Sequence, residues 1–183
     1  MTQTLTDKEQ DLQSFCRLVR DHFRAHGRDL PWRRTHNPYY IMVSEFMLQQ
    51  TQVPRVLPKY EEFIALFPSL ETLAAAPIAS VLAAWQGLGY NRRALNLQRT
   101  ARLLVDHHGG AVPRSPALLR TLPGIGPATA AAIAAFAYGE ASPFLETNIR
   151  AAFLHFFFPD ESDVSDAAIL PLVESTLDRA DPR

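Results

Sequence analysis

An all-α chain is what this sequence predicts, on three observations. Apolar residues recur at helical spacing in segment after segment. No segment shows the strict alternation of a half-buried strand, and there is no repeat or low-complexity linker. Gly and Pro clusters cut the chain into pieces of helix length, giving about ten helices in helix-on-helix packing.

Asp7 to His26 carries Leu12, Phe15, Val19 and Phe23 at near-helical spacing, and Gly27 can end that helix. Cys16 sits beside this face and is expected in the core. Arg28-Asp29-Leu30-Pro31-Trp32-Arg33-Arg34 reads as a loop crowded with Arg, Pro and Trp. A second helix, about Tyr39 to Gln50, follows Asn37-Pro38, with Ile41, Met42, Phe46 and Met47 apolar and Glu45 among them. Pro54 and Pro58 punctuate the next stretch, so the third helix is expected over Tyr60 to Phe67. Ser69 caps a fourth over Leu70 to Ala75, and Pro77 opens a fifth ending near Trp85. Leu88-Gly89-Tyr90 is a glycine-flanked loop before a long helix over Asn91 to His108. The last two helices begin after Asn148 and span roughly Asp166 to Asp178, with Pro159 between them.

Between the long helix and these two lies Leu122-Pro123-Gly124-Ile125-Gly126-Pro127-Ala128-Thr129-Ala130. Its two glycines permit a tight turn with positive φ, and Pro127 can open the small-residue helix running to Tyr138. Ser115 to Thr121 reads as a short capped helix, so the whole is helix, glycine hairpin, helix. Backbone N–H groups at such a turn, beside a helix N-terminus, can hold one phosphate without a positive side chain. An ordinary αα-hairpin accounts for the same residues.

Composition narrows the classes of function. With 183 residues, 47% apolar and 20% charged, the chain can bury a sizeable core and is not of disordered type. No apolar run approaches the ~20 residues of a membrane span, and the first residues lack a signal-peptide pattern, so a cytoplasmic location is expected. Cys16 is the single cysteine, which excludes a disulfide framework and a cysteine-based metal or cluster site. A net charge of −1 gives no global attraction to nucleic acid, so DNA binding requires local patches and backbone donors. The six histidines show no ligand spacing; His107-His108 ends a helix, where it suits the dipole.

Two carboxylates stand in unusual settings. Glu45 lies in an otherwise apolar helix, where burial would raise its pKa and suit it to general-acid work; a polar stripe on an amphipathic helix is the alternative. Glu146 precedes a helix and reads either as an N-terminal cap or as a stabilising carboxylate. An acid paired with such a carboxylate is what glycosidic cleavage demands. Arginines cluster around Trp32 and after Tyr90. Tyr90 on its loop tip can wedge into a base stack, with Arg92 or Arg93 meeting phosphate.

With these residues laid out, the chain resembles the helix-hairpin-helix DNA glycosylases, and most closely the MutY-type adenine glycosylases. The resemblance rests on LeuProTrpArg (30–33), SerGluPheMetLeuGlnGlnThrGlnVal (44–53), TrpGlnGlyLeuGlyTyr (85–90) with ArgAlaLeuAsnLeu (93–97), and LeuProGlyIleGlyProAlaThrAla (122–130), in that order. It covers about Asp7 to Phe157. It implies a six-helix lobe over about 36–139, with the hairpin at 115–138, and a second lobe from 1–35 and 140–183 that is incomplete at its C-terminal end. DNA would lie in the cleft between the lobes, with a flipped base in a pocket there.

The resemblance further implies that Glu45 protonates a departing adenine at N7. Glu146 takes the place of the family's Asp, stabilising the oxocarbenium-like sugar, with Asn148 supporting it. Arg28 and Trp32 line the adenine pocket. Gln50 and Thr51 contact the opposite strand at 8-oxoguanine, while Leu88 and Tyr90 wedge into the duplex. The full expected DNA-contacting set is Gln49, Gln50, Thr51, Leu88, Gly89, Tyr90, Arg92, Arg93, Gly124, Gly126, Ala128 and Thr129. Ala128 stands where endonuclease III-type relatives carry a Schiff-base Lys, which favours a monofunctional hydrolase over a β-lyase.

The departures are equally specific. Glu146-Thr147-Asn148 replaces Asp-Gly-Asn, and the added methylene can shift the carboxylate by about 1 Å, costing ~10²-fold unless compensated. The family's four-cysteine iron–sulfur motif, the helix completing that lobe and the C-terminal domain reading 8-oxoguanine do not occur in this sequence. A cluster-free branch or a truncated product is expected, with no cofactor. The function expected is a monomeric base-excision glycosylase acting on double-stranded DNA with a mismatch or oxidised base, removing adenine opposite guanine or 8-oxoguanine. Two alternatives stand beside it: excision of thymine or uracil opposite guanine, and non-catalytic binding of distorted duplex.

Overall fold

In a computed structural model describing residues 5–182, with side chains from Gln10 onward, the described elements are helices only. They are α1 (Leu5–His26), a short 3₁₀ turn (Pro31–Arg33), α2 (Pro38–Leu48), α3 (Val53–Leu66), α4 (Leu70–Ala75) and α5 (Ile78–Trp85). There follow α6 (Arg92–His107), α7 (Pro116–Leu119), α8 (Pro127–Tyr138), α9 (Thr147–Phe157) and α10 (Asp166–Thr176).

α2 is the hub. Asn37 caps it, its side-chain oxygen accepting from Tyr39 N and Tyr40 N, and Pro38 occupies the first turn. Tyr39, Ile41, Met42, Val43, Ser44, Phe46 and Met47 are all buried, against α3, α6, α8 and the 3₁₀ turn. A helix apolar on every side has to be enclosed. α2 therefore presents no continuous polar stripe, and Glu45 is only half-buried among these residues. Ser44 is buried beside it, its hydroxyl donating to Ile41 O at 2.8 Å.

Two apolar cores result. The larger runs from Leu30 to Ala137 and includes Trp85, Phe63 and Leu97; the smaller gathers Phe153, Val164, Ile169 and Val173 beneath α9 and α10. α1 packs on α10, and Phe15 meets Phe153, Phe156 and Phe157 at 5.1–5.2 Å between ring centroids. The rest of the α1 face stays open: Val19 and Phe23 are about half exposed. Cys16 is half-buried, with Sγ 3.8 Å from Thr176 O, rather than in either core.

Three local expectations change. α3 begins at Val53, seven residues early, because Pro54 fits the first turn and Pro58 is carried inside the helix. That leaves the carbonyl four residues before Pro58 without its helical N–H, which packing of Val56, Tyr60 and Phe63 in the core outweighs. α7 is one turn long and Ser115 makes no side-chain cap. In the hairpin only Gly124 has positive φ, at 80°, whereas Gly126 is extended at φ −84° and ψ 178°.

A Cβ on Gly124 would lie 2.9 Å from Asn96 Cβ and 2.9 Å from Phe46 Cε1, while one on Gly126 would meet nothing within 4 Å. Gly124→Ala combines the wrong φ with a clash and is expected to cost about 2 kcal/mol. Gly126→Ala is expected to leave thermal stability within about 0.5 kcal/mol of wild type. Denaturant melts of the two variants check the contrast.

Candidate active site

The site is assembled where the loop after α1 turns back over α2. Leu30 and Trp32 are buried, and Trp32 meets Tyr60 edge-on at 5.1 Å. Arg34 and Asp29 form a two-point ion pair across this loop, with Nε to Oδ1 at 2.7 Å. These contacts hold the loop against one end of a cavity of about 170 Å³ lined by Arg28, Leu30, Trp32, Arg33, Ile41, Ser44, Glu45, Leu48, Val53 and Phe136. The structure thus brings Arg28, Trp32 and Glu45 together around one space. Its volume suits a single planar heterocycle rather than a whole nucleotide.

Glu45 is the one carboxylate lining this cavity. Burial among apolar neighbours disfavours the charged form and raises its pKa from 4.5 to about 7, against a lowering influence of the Arg33 guanidinium. Near neutral pH the carboxyl is therefore about half protonated and can give up a proton to a group in the cavity. A second aromatic residue of the lining, Phe136, comes from α8. Sequence reading missed Phe136, although it is one of two aromatic residues in an alanine-rich helix.

Glu146 does not line this cavity. It is the N-cap of α9, Oε1 accepting from Asn148 N at 2.9 Å and Ile149 N at 2.9 Å, with Asn148 Nδ2 donating to Oε2 at 3.3 Å. The cap reading is thus correct. Three donors at the N-terminus of α9 fix this carboxylate in place. Asn148 itself is exposed, on the rim of the groove between α1 and α9.

The residues expected at DNA divide into two groups. Tyr90, Gln50 and Arg92 are exposed, and Tyr90 and Gln50 hold left-handed backbone angles of φ 48° and 54°. Gly124 and Gly126 are exposed on the hairpin, and Ala128 and Thr129 are partly buried behind it. Gln49 Nε2 donates to Gly124 O at 3.0 Å and to Thr129 Oγ1 at 3.2 Å, tying the end of α2 to the hairpin. Thr51 and Gly89 accept from Arg93 rather than standing free.

Two expectations fail. Leu88 is 2% exposed and belongs to the large core, so it is no wedge. Arg93 is 8% exposed and is no phosphate contact, because its guanidinium is already committed to internal oxygens. Burial lowers its pKa from the ordinary guanidinium value.

A four-thiolate iron–sulfur cluster does not fit the residues present, since the chain offers Cys16 alone. Among the described residues no group of three or more His, Cys, Asp or Glu can hold a metal ion, and no helix is long and apolar enough to cross a membrane.

An all-helical scaffold that sets a Gly-turn hairpin beside an acid-bearing, nucleobase-sized cavity defines a recognisable class. Residues 43–170 match the family model described as HhH-GPD superfamily base excision DNA repair protein, and the chain belongs to that superfamily. It is 41% identical over 144 residues to the adenine DNA glycosylase of Buchnera aphidicola subsp. Baizongia pistaciae, covering 78% of this chain and 41% of the relative. The Mycolicibacterium smegmatis adenine DNA glycosylase is 48% identical over 131 residues, covering 71% and 44%. The human adenine DNA glycosylase is 42% identical over 131 residues, covering 67% and 24%. The chain thus spans less than half the length of these relatives. A solved thermostable thymine-DNA glycosylase superposes with a TM-score of 0.87 at 24% identity, covering 96% of this chain and 82% of that one. A non-covalent endonuclease III–DNA complex gives 0.75 at 20%, covering 98% and 80%. At these identities the two structures speak to the fold.

Glu45 also makes stability depend on pH. Its pKa is higher in the folded state, so its stabilising contribution is complete below about pH 4.5 and is lost as pH rises through about 7. The full difference amounts to about 3 kcal/mol. Glu45→Gln is expected to remove that slope and to be more stable than wild type at pH 8. Urea titrations of both proteins from pH 5 to 8 check it.

Proposed function

We propose that the chain is a DNA N-glycosylase that removes adenine from a mismatch with guanine or 8-oxoguanine. The observation that carries this reading is the cavity of about 170 Å³ lined by Glu45, its pKa raised to about 7, together with Trp32 and Phe136. A flipped purine held against aromatic walls presents its ring nitrogens to that carboxyl. The curated relatives, each named an adenine DNA glycosylase, support adenine as the base.

In this reading Glu45 transfers its proton to N7 of the bound adenine. The purine then accepts the electron pair of the C1′–N9 bond as that bond breaks. Positive charge develops on the sugar, and the Glu146 carboxylate, held by the Asn148 and Ile149 amides, stabilises it. Water adds to C1′ and loses a proton, leaving an abasic site and free adenine. Glu146 does not line the base cavity, which leaves it to the sugar rather than to the base. Ala128 offers no amine for a Schiff base, which supports hydrolysis without strand cleavage. No cofactor takes part. The protein acts as a monomer on double-stranded DNA in the compartment of the chromosome, the cytoplasm of a bacterium.

The duplex would be held by the hairpin amides around Gly124 and Gly126 on a phosphate, by Arg92 on the backbone, and by Tyr90 and Gln50 at the lesion. The open space in front of Gly126 supports close approach of a phosphate there. Gly126→Ala, stable by the argument above, is accordingly expected to weaken duplex binding about tenfold.

The test is a duplex carrying one adenine opposite 8-oxoguanine, treated with alkali after incubation and compared with a panel holding thymine or uracil opposite guanine. Strand scission at adenine alone is expected. Glu45→Gln should lower the single-turnover rate by ~10²–10⁴ with little change in duplex affinity, as loss of a general acid demands. Scission at thymine or uracil, or full activity in Glu45→Gln, would overturn the reading.

A further inference from the structure

Arg93 occupies a position that the helix rules disfavour. It lies in the first turn of α6, where the helix dipole opposes a cation. It is nearly buried, and no carboxylate pairs with it among the ion pairs of the described residues. Its Nε is buried with no partner at all. A charge in such a place is retained only if its surroundings supply many oriented dipoles.

They do. Nη1 donates to Phe46 O at 3.2 Å, to Met47 O at 2.9 Å and to Gln49 O; Nη2 donates to Thr51 Oγ1 at 2.9 Å, Leu88 O at 3.1 Å and Gly89 O at 3.1 Å. These oxygens come from two places. Phe46, Met47, Gln49 and Thr51 belong to the end of α2 and the residues just after it, and Leu88 and Gly89 to the loop after α5, so the cation meets the C-terminal end of α2, the favourable end of its dipole, together with that loop. The guanidinium also lies 5.5 Å from the ring centroids of both Trp85 and Tyr90.

Two of the six oxygens have a further meaning. Gln49 O belongs to the peptide just before Gln50, and Gly89 O to the peptide just before Tyr90. Gln50 and Tyr90 are the only described non-glycine residues with positive φ, at 54° and 48°. Both are exposed, Tyr90 by 64%. Backbone angles of this kind persist only where surrounding structure fixes them. One planar fork therefore fixes both strained peptides, 40 positions apart in sequence, and backs the Tyr90 ring as well.

We propose that Arg93 is a positioning residue that locks Gln50 and Tyr90 into a single rigid reading head for the duplex. It never touches DNA. Its donors set the spacing between two exposed side chains that come from different loops. This deepens the glycosylase reading and rests on it for what the head reads, but the coupling of the two loops stands independently of any activity.

The experiment uses the full chain with Arg93→Met, which keeps the bulk and removes every donor, and Arg93→Lys, which keeps the charge and loses the fork. Amide hydrogen exchange without DNA is read first. In Arg93→Met, residues 49–52 and 88–91 are expected to exchange about tenfold faster together, while the hairpin at 115–138 is unchanged. Arg93→Lys should loosen the same two segments, to a smaller extent. Loosening of one segment alone, or of neither, overturns the proposal. So does failure of both variants to fold, since Arg93 would then serve the core rather than the two loops.

On DNA, 2-aminopurine set beside the lesion reports insertion by the head. Arg93→Met should lose the fluorescence change and about tenfold of the preference for mismatched over matched duplex. The pH midpoint of single-turnover excision should stay at the wild-type value; a moved midpoint would mean that Arg93 acts through Glu45 and overturns the assignment. A wild type without excision at any pH would sink the glycosylase reading alone, leaving the exchange result to decide the coupling.

Discussion

The enclosure of α2 is the constraint on which the rest depends. Seven of its eleven residues are buried, and helices pack it from several directions. A carboxylate placed in such a helix is held largely away from water, and Glu45 is only partly exposed. It must be neutralised, paired or given a cavity, and here the bend of the chain through Leu30 and Trp32 leaves a cavity at Glu45. The raised pKa is the direct result of that enclosure. Chemistry at neutral pH and a destabilising buried acid are the same fact seen twice.

The end of α2 matters as much as its middle. Immediately after Leu48 the chain needs partners for its last carbonyls, and it finds them in Arg93, whose side chain enters from α6. The next side chain, Gln49, spans to Gly124 and Thr129 on the hairpin. One helix therefore carries the acid, receives the clamp and docks the hairpin within five residues. The acid and the hairpin, both expected to face a duplex, are thereby tied to one helix, which is what alignment of a base with Glu45 requires.

What the sequence made legible was what local chemistry decides. Glu45 amid apolar neighbours, a glycine turn before Pro127 and the helical periods of α2, α6 and α8 are local patterns, and all appear in the fold. Glu146 read equally as a cap, and a cap it is, because its donors lie two and three residues away. Arg93 was illegible. Nothing distinguishes it from Arg92 along the chain, and four of the six oxygens that receive its guanidinium are contributed 40 and more positions away. Leu88 looked like a loop-tip residue but is drawn into the core beside Trp85. The length of α3 was hidden because two prolines suggest a break, whereas the gain from burying Val56 depends on contacts no local rule contains.

Enclosure of α2 holds Glu45 as an acid near neutral pH. The most direct measurement is a titration of the Glu45 side-chain carboxyl carbon by NMR in the free protein, with Glu45→Gln identifying the resonance. The structure predicts a midpoint at about 7. A midpoint at the ordinary carboxylate value of 4.5 would contradict the account, since the cavity would then be wet enough to leave Glu45 ionised and without a proton to give.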